Sequence, residues 1–153
     1  MRILLVEDDE DKRKQVRDVI LEVEPLCEIV EARSLQGGRR ALGLGTWSLV
    51  VLDMSMPTFD ISAEEPGGRT QALGGRELLR DMARRNLVAP VVVVTQFDRF
   101  GQGRDEMTLA ELNAELMEAY SDYYVESIYY NPADDEWKDR LVNLISTLRV
   151  EEG

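Results

Sequence analysis

Several short apolar runs constrain this chain more than any other feature, because they carry almost no alternation. Ile3 to Val6, Trp47 to Leu52 and Val91 to Val94 are apolar at nearly every position, and Cys27 to Ala32 is a similar run with a polar interruption. A strand with one face in water alternates between apolar and polar residues, whereas a strand covered on both faces does not. Stretches with helical spacing separate the runs, so the pattern calls for a parallel sheet with helices packed on both sides. A fifth strand is expected within Tyr124 to Tyr130, where aromatic and β-branched residues concentrate.

The helical stretches have readable ends. Asp9 to Glu24 places Val16, Val19, Ile20 and Val23 at helical spacing and stops before Pro25, which cannot continue a helix. A second helix is expected from the N-cap candidate Ser34 through Leu35, Arg39, Ala41 and Leu42, weakened by Gly37-Gly38 and ended by Gly43 to Gly45. Gly75 to Arg85 carries Leu78, Leu79 and Met82 on one face, and Met107 to Tyr120 carries the stripe Leu109, Leu112, Leu116 and Met117. Pro132 is expected near the start of a last helix whose inward stripe is Trp137, Leu141, Leu144, Ile145 and Leu148. Five strand-then-helix repeats result, read as a single domain over residues 1–153. Two connections, at about 58–74 and 96–106, are longer than an α/β unit needs and are read as irregular loops.

Composition excludes several classes of function. With no histidine and the single cysteine Cys27, zinc sites of the Cys/His kind and internal disulfides are ruled out, and a reducing compartment is expected. The first apolar run turns acidic after four residues, too short for a signal-peptide core or a membrane span, so a cytoplasmic location is expected. The net charge of -12 repels phosphate backbones and anionic lipid, so neither nucleic acid nor membrane is an expected partner.

In an open parallel sheet, ligands bind beyond the carboxyl ends of the strands. There the first run ends in Glu7, Asp8 and Asp9, the third in Asp53 and the fourth in Thr95. If the first and third strands are neighbours, Glu7, Asp8 and Asp53 converge. Carboxylates held together take up protons unless a cation neutralises them, and Mg²⁺ suits an all-oxygen donor set. A carboxylate such as Asp53 could then act as a nucleophile toward a phosphoryl group. Glu7, Asp8 and Asp9 also stand where acids favourably cap a helix, and that reading alone would explain them. Asp53 is different, since a carboxylate ending a buried strand costs free energy unless it is paired or metal-bound. Thr95 is equally an ordinary β-branched residue at a strand end.

Ile3-Leu4-Leu5-Val6-Glu7-Asp8-Asp9, Val51-Leu52-Asp53-Met54-Ser55-Met56-Pro57, Gly75-Arg76-Glu77-Leu78-Leu79 and Val91-Val92-Val93-Val94-Thr95 together resemble the response-regulator receiver family, in the right order along the whole chain. The resemblance implies a doubly wound, flavodoxin-like α/β fold with five parallel strands in the order 2-1-3-4-5. It implies Asp53 as the phosphoacceptor, served by a histidine kinase or phosphotransfer protein. It further implies Mg²⁺ held by Asp8, Asp53 and the Ser55 backbone carbonyl, with Glu7 helping through water, and Thr95 as a switch hydroxyl. The family places a lysine before a proline after the fifth strand, and here that pair is Asn131-Pro132; an amide brings no charge to a phosphoryl group. None of the lysines Lys12, Lys14 and Lys138 stands at that place, and Arg99 on the second long loop is the candidate substitute. The usual aromatic switch position falls on Ile128, with Tyr129 and Tyr130 shifted toward the strand end.

The expectation is therefore a phosphoacceptor and not an enzyme, acting alone or as part of a longer protein, and signalling to a downstream protein. An aspartate-nucleophile phosphatase would want a second acid where Ser55 stands. The alternative is a pseudo-receiver that binds partners without switching by phosphate. Tyr120, Tyr123, Tyr124, Tyr129 and Tyr130 are too many to bury together, which marks the face of the fourth and fifth helices for a partner or a homodimer.

Overall fold

The computed structural model of the chain describes residues 1–61, 70–71, 73–101 and 103–152. Five strands form the central sheet: β1 (Arg2–Val6), β2 (Glu28–Ala32), β3 (Leu49–Leu52), β4 (Val91–Thr95) and β5 (Tyr124–Tyr129). Their order across the sheet is 2-1-3-4-5, and each neighbouring pair is parallel. The helices are α1 (Glu10–Val23), α2 (Leu35–Leu42), α3 (Gly74–Arg84), α4 (Leu109–Ala119) and α5 (Glu136–Glu152). This is the doubly wound α/β fold that the apolar runs call for.

The unbroken runs resolve into two faces. Leu4, Val6, Val50, Leu52, Val91 and Val93 pack on one side with residues of α2, α3 and α4. Ile3, Leu5, Leu49, Val51, Val92 and Val94 pack on the other with α1 and α5. Successive side chains in a strand point to opposite faces, so residues adjacent in sequence serve different cores. The sheet edges differ in kind, as β2 leaves Glu28 and Glu31 exposed while β5 keeps Tyr124, Ser127 and Ile128 buried.

Helix ends follow their capping residues. The Asp9 side chain accepts from Lys12 N–H at 3.0 Å, and the Ser34 hydroxyl accepts from Gly37 N–H at 3.0 Å. Thr108 and Glu111 cap α4 reciprocally, with each side chain satisfying the other residue's backbone N–H. That cap starts α4 at Leu109, two residues later than its periodicity suggests. Within its stripe Leu112 and Leu116 are buried, whereas Met117 is 46% exposed. Pro132 lies in a turn four residues ahead of α5, so it does not open that helix.

Both long connections contain pairing that the sequence does not announce. Met56–Pro57 pairs antiparallel with Thr70–Gln71 inside the 58–74 stretch, of which residues 62–69 and 72 lie outside the described residues. Arg99–Phe100 pairs antiparallel with Met107–Thr108 around a short helical turn at Gly103–Asp105. The second hairpin buries Phe100 against the core cluster shared by α3 and α4. Two-residue strands are too short to show a period, which is why these read as loops. No helix among the described residues is long and apolar enough to cross a membrane.

Candidate functional site

Strand register builds the site. Val6 pairs with Leu52, and Leu52 with Val93, so the residues that follow, Glu7, Asp53 and Val94, come side by side at the carboxyl edge. Asp53 N–H donates to Val6 O at 3.0 Å, and Glu7 N–H to Ala32 O at 2.9 Å, which extends the ladder one step into the acids. Glu7 and Asp53 are only 3% and 4% exposed, and Asp8 is open to solvent. One carboxylate oxygen from each of Glu7, Asp8 and Asp53 lies within 4.8 Å of the others.

The structure divides the consecutive acids between the two readings left open above. Asp9 caps α1, while Glu7 turns inward and accepts from Asp9 N–H through Oε2 at 3.1 Å. Helix capping therefore accounts for Asp9 and leaves Glu7, Asp8 and Asp53 as a cluster.

Lys12 enters that cluster from the first turn of α1. Its Nζ lies 2.5 Å from Glu7 Oε1 and 3.4 Å from Asp53 Oδ1, and it donates to Val94 O at 2.6 Å. The side chain is 1% exposed, and the ammonium stands 5.6 Å from the Tyr130 ring centre. A buried ammonium at the positive end of a helix dipole is unfavourable unless carboxylates surround it. Here two buried carboxylates do. Arg13 reinforces the arrangement by donating to Glu7 O at 3.1 Å.

Burial pushes Glu7 up to about 8, against the pull of the Lys12 ammonium. Burial also raises Asp53, opposed by Lys12 and by the Met54 N–H that donates to Oδ1 at 2.7 Å. Both of these side-chain contacts of Asp53 fall on Oδ1.

The other candidates sit at varying distance from this centre. Thr95 is fully buried at the end of β4, and its Oγ1 accepts from Phe97 N–H at 3.2 Å. Ser55 lies partly exposed in the bend two residues beyond Asp53. The Asn131 side-chain oxygen accepts from Ala133 N–H at 2.9 Å, so it closes the turn before α5. Arg99 is exposed, pairs with Glu106 at 3.5 Å, and lines a shallow pocket together with Ser55. Ile128 is buried opposite Val94, while the next residue, Tyr129, is 45% exposed.

Lys12 is the site residue that the motif reading passed over, and a signal for it existed. It stands four residues before Val16 and eight before Ile20, on the buried stripe of α1. Helical side chains lean toward the N-terminus, and that direction carries its ammonium over the strand ends.

A hard divalent cation fits this donor set. Three carboxylates and one ammonium, all ionised, leave two negative charges, and the donors are oxygens alone.

No protein-family model matches the chain. The Detocs response regulatory protein DtcB of Enterobacter cloacae is 28% identical over 152 residues, covering 97% of this chain and all of that protein. An uncharacterized protein, y4jR, of Sinorhizobium fredii is 28% identical over 145 residues, covering 94% of this chain and 95% of its own length. Among solved structures, the response regulator TrrA of Thermotoga maritima in complex with Mg²⁺-BeF superposes with a TM-score of 0.56 at 19% identity, over 96% of this chain and 97% of that one. The likeness to that structure bears on the fold alone. The chain thus has the doubly wound fold of receiver domains, with their strand order, and along its full length it is similar to a response regulatory protein.

Proposed function

We propose that the chain accepts a phosphoryl group on Asp53 and passes the resulting change to a partner protein. The convergence of Glu7, Asp8 and Asp53 at the carboxyl edge of the sheet carries this reading. Asp53 Oδ2 is the oxygen free to attack phosphorus, since Oδ1 is engaged by Met54 N–H and Lys12. The new bond joins Oδ2 to phosphorus, and the bond from phosphorus to the donor breaks. The leaving atom, a histidine ring nitrogen of a kinase or phosphotransfer protein or an oxygen of a small phosphodonor, keeps the electron pair. Mg²⁺ bound by Asp8, Asp53 and the Ser55 carbonyl, with Glu7 acting through water, would supply charge to the transferring oxygens. Glu7 and Asp53 must be ionised for this, so cation binding releases the protons that burial favours.

Thr95 ends the strand beside Asp53, and its hydroxyl would meet the phosphoryl group and relay its presence along β4. Met117, Val125 and Tyr129 are exposed on α4 and β5 and offer apolar surface to a downstream partner or a second copy.

The test is intact-mass measurement after incubation with Mg²⁺ and acetyl phosphate. One phosphoryl adduct is expected, absent from Asp53→Asn and abolished by EDTA. A wild-type protein that stays unmodified at saturating reagent overturns the reading and favours an interaction module that does not switch by phosphate.

A further inference from the structure

The proposed function leaves the charge of the incoming phosphoryl group without an assigned protein cation: Asn131 carries no charge, and Arg99 is an exposed side chain that pairs with Glu106 at 3.5 Å. The side chain that faces Asp53 is Lys12. Its ammonium is buried, lies 3.4 Å from Asp53 Oδ1, and is held between Glu7 just after β1 and the Val94 carbonyl on β4. Phosphorylation would place further anionic oxygens two bonds beyond Asp53 Oδ2, within the same small volume.

We infer that Lys12 is the phosphoryl-binding cation of this site, delivered by the first turn of α1 and not by the loop after β5. The inference rests on Asp53 being the phosphoacceptor. It departs from the sequence expectation in both the residue and the element that supplies the charge.

Three features support it. The ammonium is preorganised: Asp9 caps the backbone N–H of Lys12 itself at 3.0 Å, fixing the turn that carries the side chain. Its wall is aromatic, with Tyr130 anchored through its hydroxyl to Gln15 Oε1 at 2.9 Å on the next turn of α1. Its present partners can also be exchanged. Val94 O is a neutral acceptor, and replacing it with a phosphoryl oxygen would convert a neutral-acceptor contact into an ion pair. The same exchange would free the last carbonyl of β4 before Thr95, linking α1 to the strand that carries the switch hydroxyl.

The chain has three lysines, so Lys12 can be followed directly in protein labelled with ¹³C at lysine Cε. On adding Mg²⁺ and beryllofluoride to the wild type, the Lys12 signal should shift, while those of exposed Lys14 and of Lys138, which pairs with Asp135, stay in place. In parallel, Lys12→Met should take phosphate from acetyl phosphate roughly 10- to 100-fold more slowly, the scale of one charge-assisted hydrogen bond at a buried site. A static Lys12 signal in a wild-type protein whose Asp53 is occupied overturns the inference and leaves the proposed function standing. So does labelling of folded Lys12→Met at the wild-type rate. A wild-type protein that takes up neither reagent removes both. The lysine signal is read on the native protein, so the inference remains testable if Lys12→Met does not fold.

Discussion

At the scale of single residues, the site is a balance between burial and charge. Glu7 and Asp53 are both almost fully buried, and burial raises both carboxyls while Lys12 opposes the shift. For Glu7 the rise is from 4.5 to about 8. Between those values the folded chain holds a proton that the unfolded chain has released, so the folded state binds more protons and stability falls as pH rises through the window. A divalent cation binds the ionised acids, so its stabilising effect should grow over the same range. Thermal melts in EDTA should therefore show a falling Tm from about pH 4.5 to 8, with the fall reduced by Mg²⁺ and largely lost in Glu7→Gln. A flat profile in EDTA would show that Lys12 holds Glu7 ionised throughout.

At the scale of elements, the site depends on how closely α3 approaches the end of β3. Gly75 N–H donates to Met54 O at 3.0 Å, and a Cβ at Gly75 would lie 2.7 Å from the Asp53 carbonyl oxygen and overlap Leu52. Backbone cannot give way as a flexible side chain can. Gly75→Ala should thus cost about 1–3 kcal/mol of stability, the usual penalty of overpacking, read as a lower urea midpoint. It should also slow phosphoryl uptake, because the strain falls on the bend that carries Asp53 and Ser55. A substitution tolerated without loss of stability would mean that α3 slides freely on β3. α1 is constrained from the other side, since its inward stripe of Val16, Val19 and Ile20 packs into the core shared with α5 and ends in Lys12 at the acid cluster. Its position therefore bears on the core and on the site together.

At the scale of the whole molecule, 30 acidic residues against 18 basic ones give a self-repelling surface. Such repulsion is long-range and screened by salt, over a Debye length of about 8 Å at physiological ionic strength. Raising NaCl from a few millimolar to about 0.15 M in EDTA should increase the Tm, since the compact state gains most from screening. A decrease would mean that ion pairs such as Arg76 with Glu115 and Arg140 with Glu126 outweigh the net repulsion.

The strands, their parallel arrangement and the acids at their ends were legible in the residues themselves. An apolar run between helical stretches admits few folds, and Glu7, Asp53 and Thr95 each follow directly on such a run, with Asp8 next after Glu7. The short hairpins at Met56–Pro57 and Arg99–Phe100 were not legible, because two residues carry no period and their partners lie across a loop. Nor was the division of labour among the acids, since capping and clustering demand the same residue types until the backbone turns one of them inward. Lys12 shows the difference most clearly. Its place on the buried stripe of α1 is written in the spacing, but its partners are Glu7 after β1, Asp53 after β3 and Val94 on β4. Only the parallel register that brings those three strand ends together decides that this lysine, and not the asparagine after β5, is the cation beside Asp53.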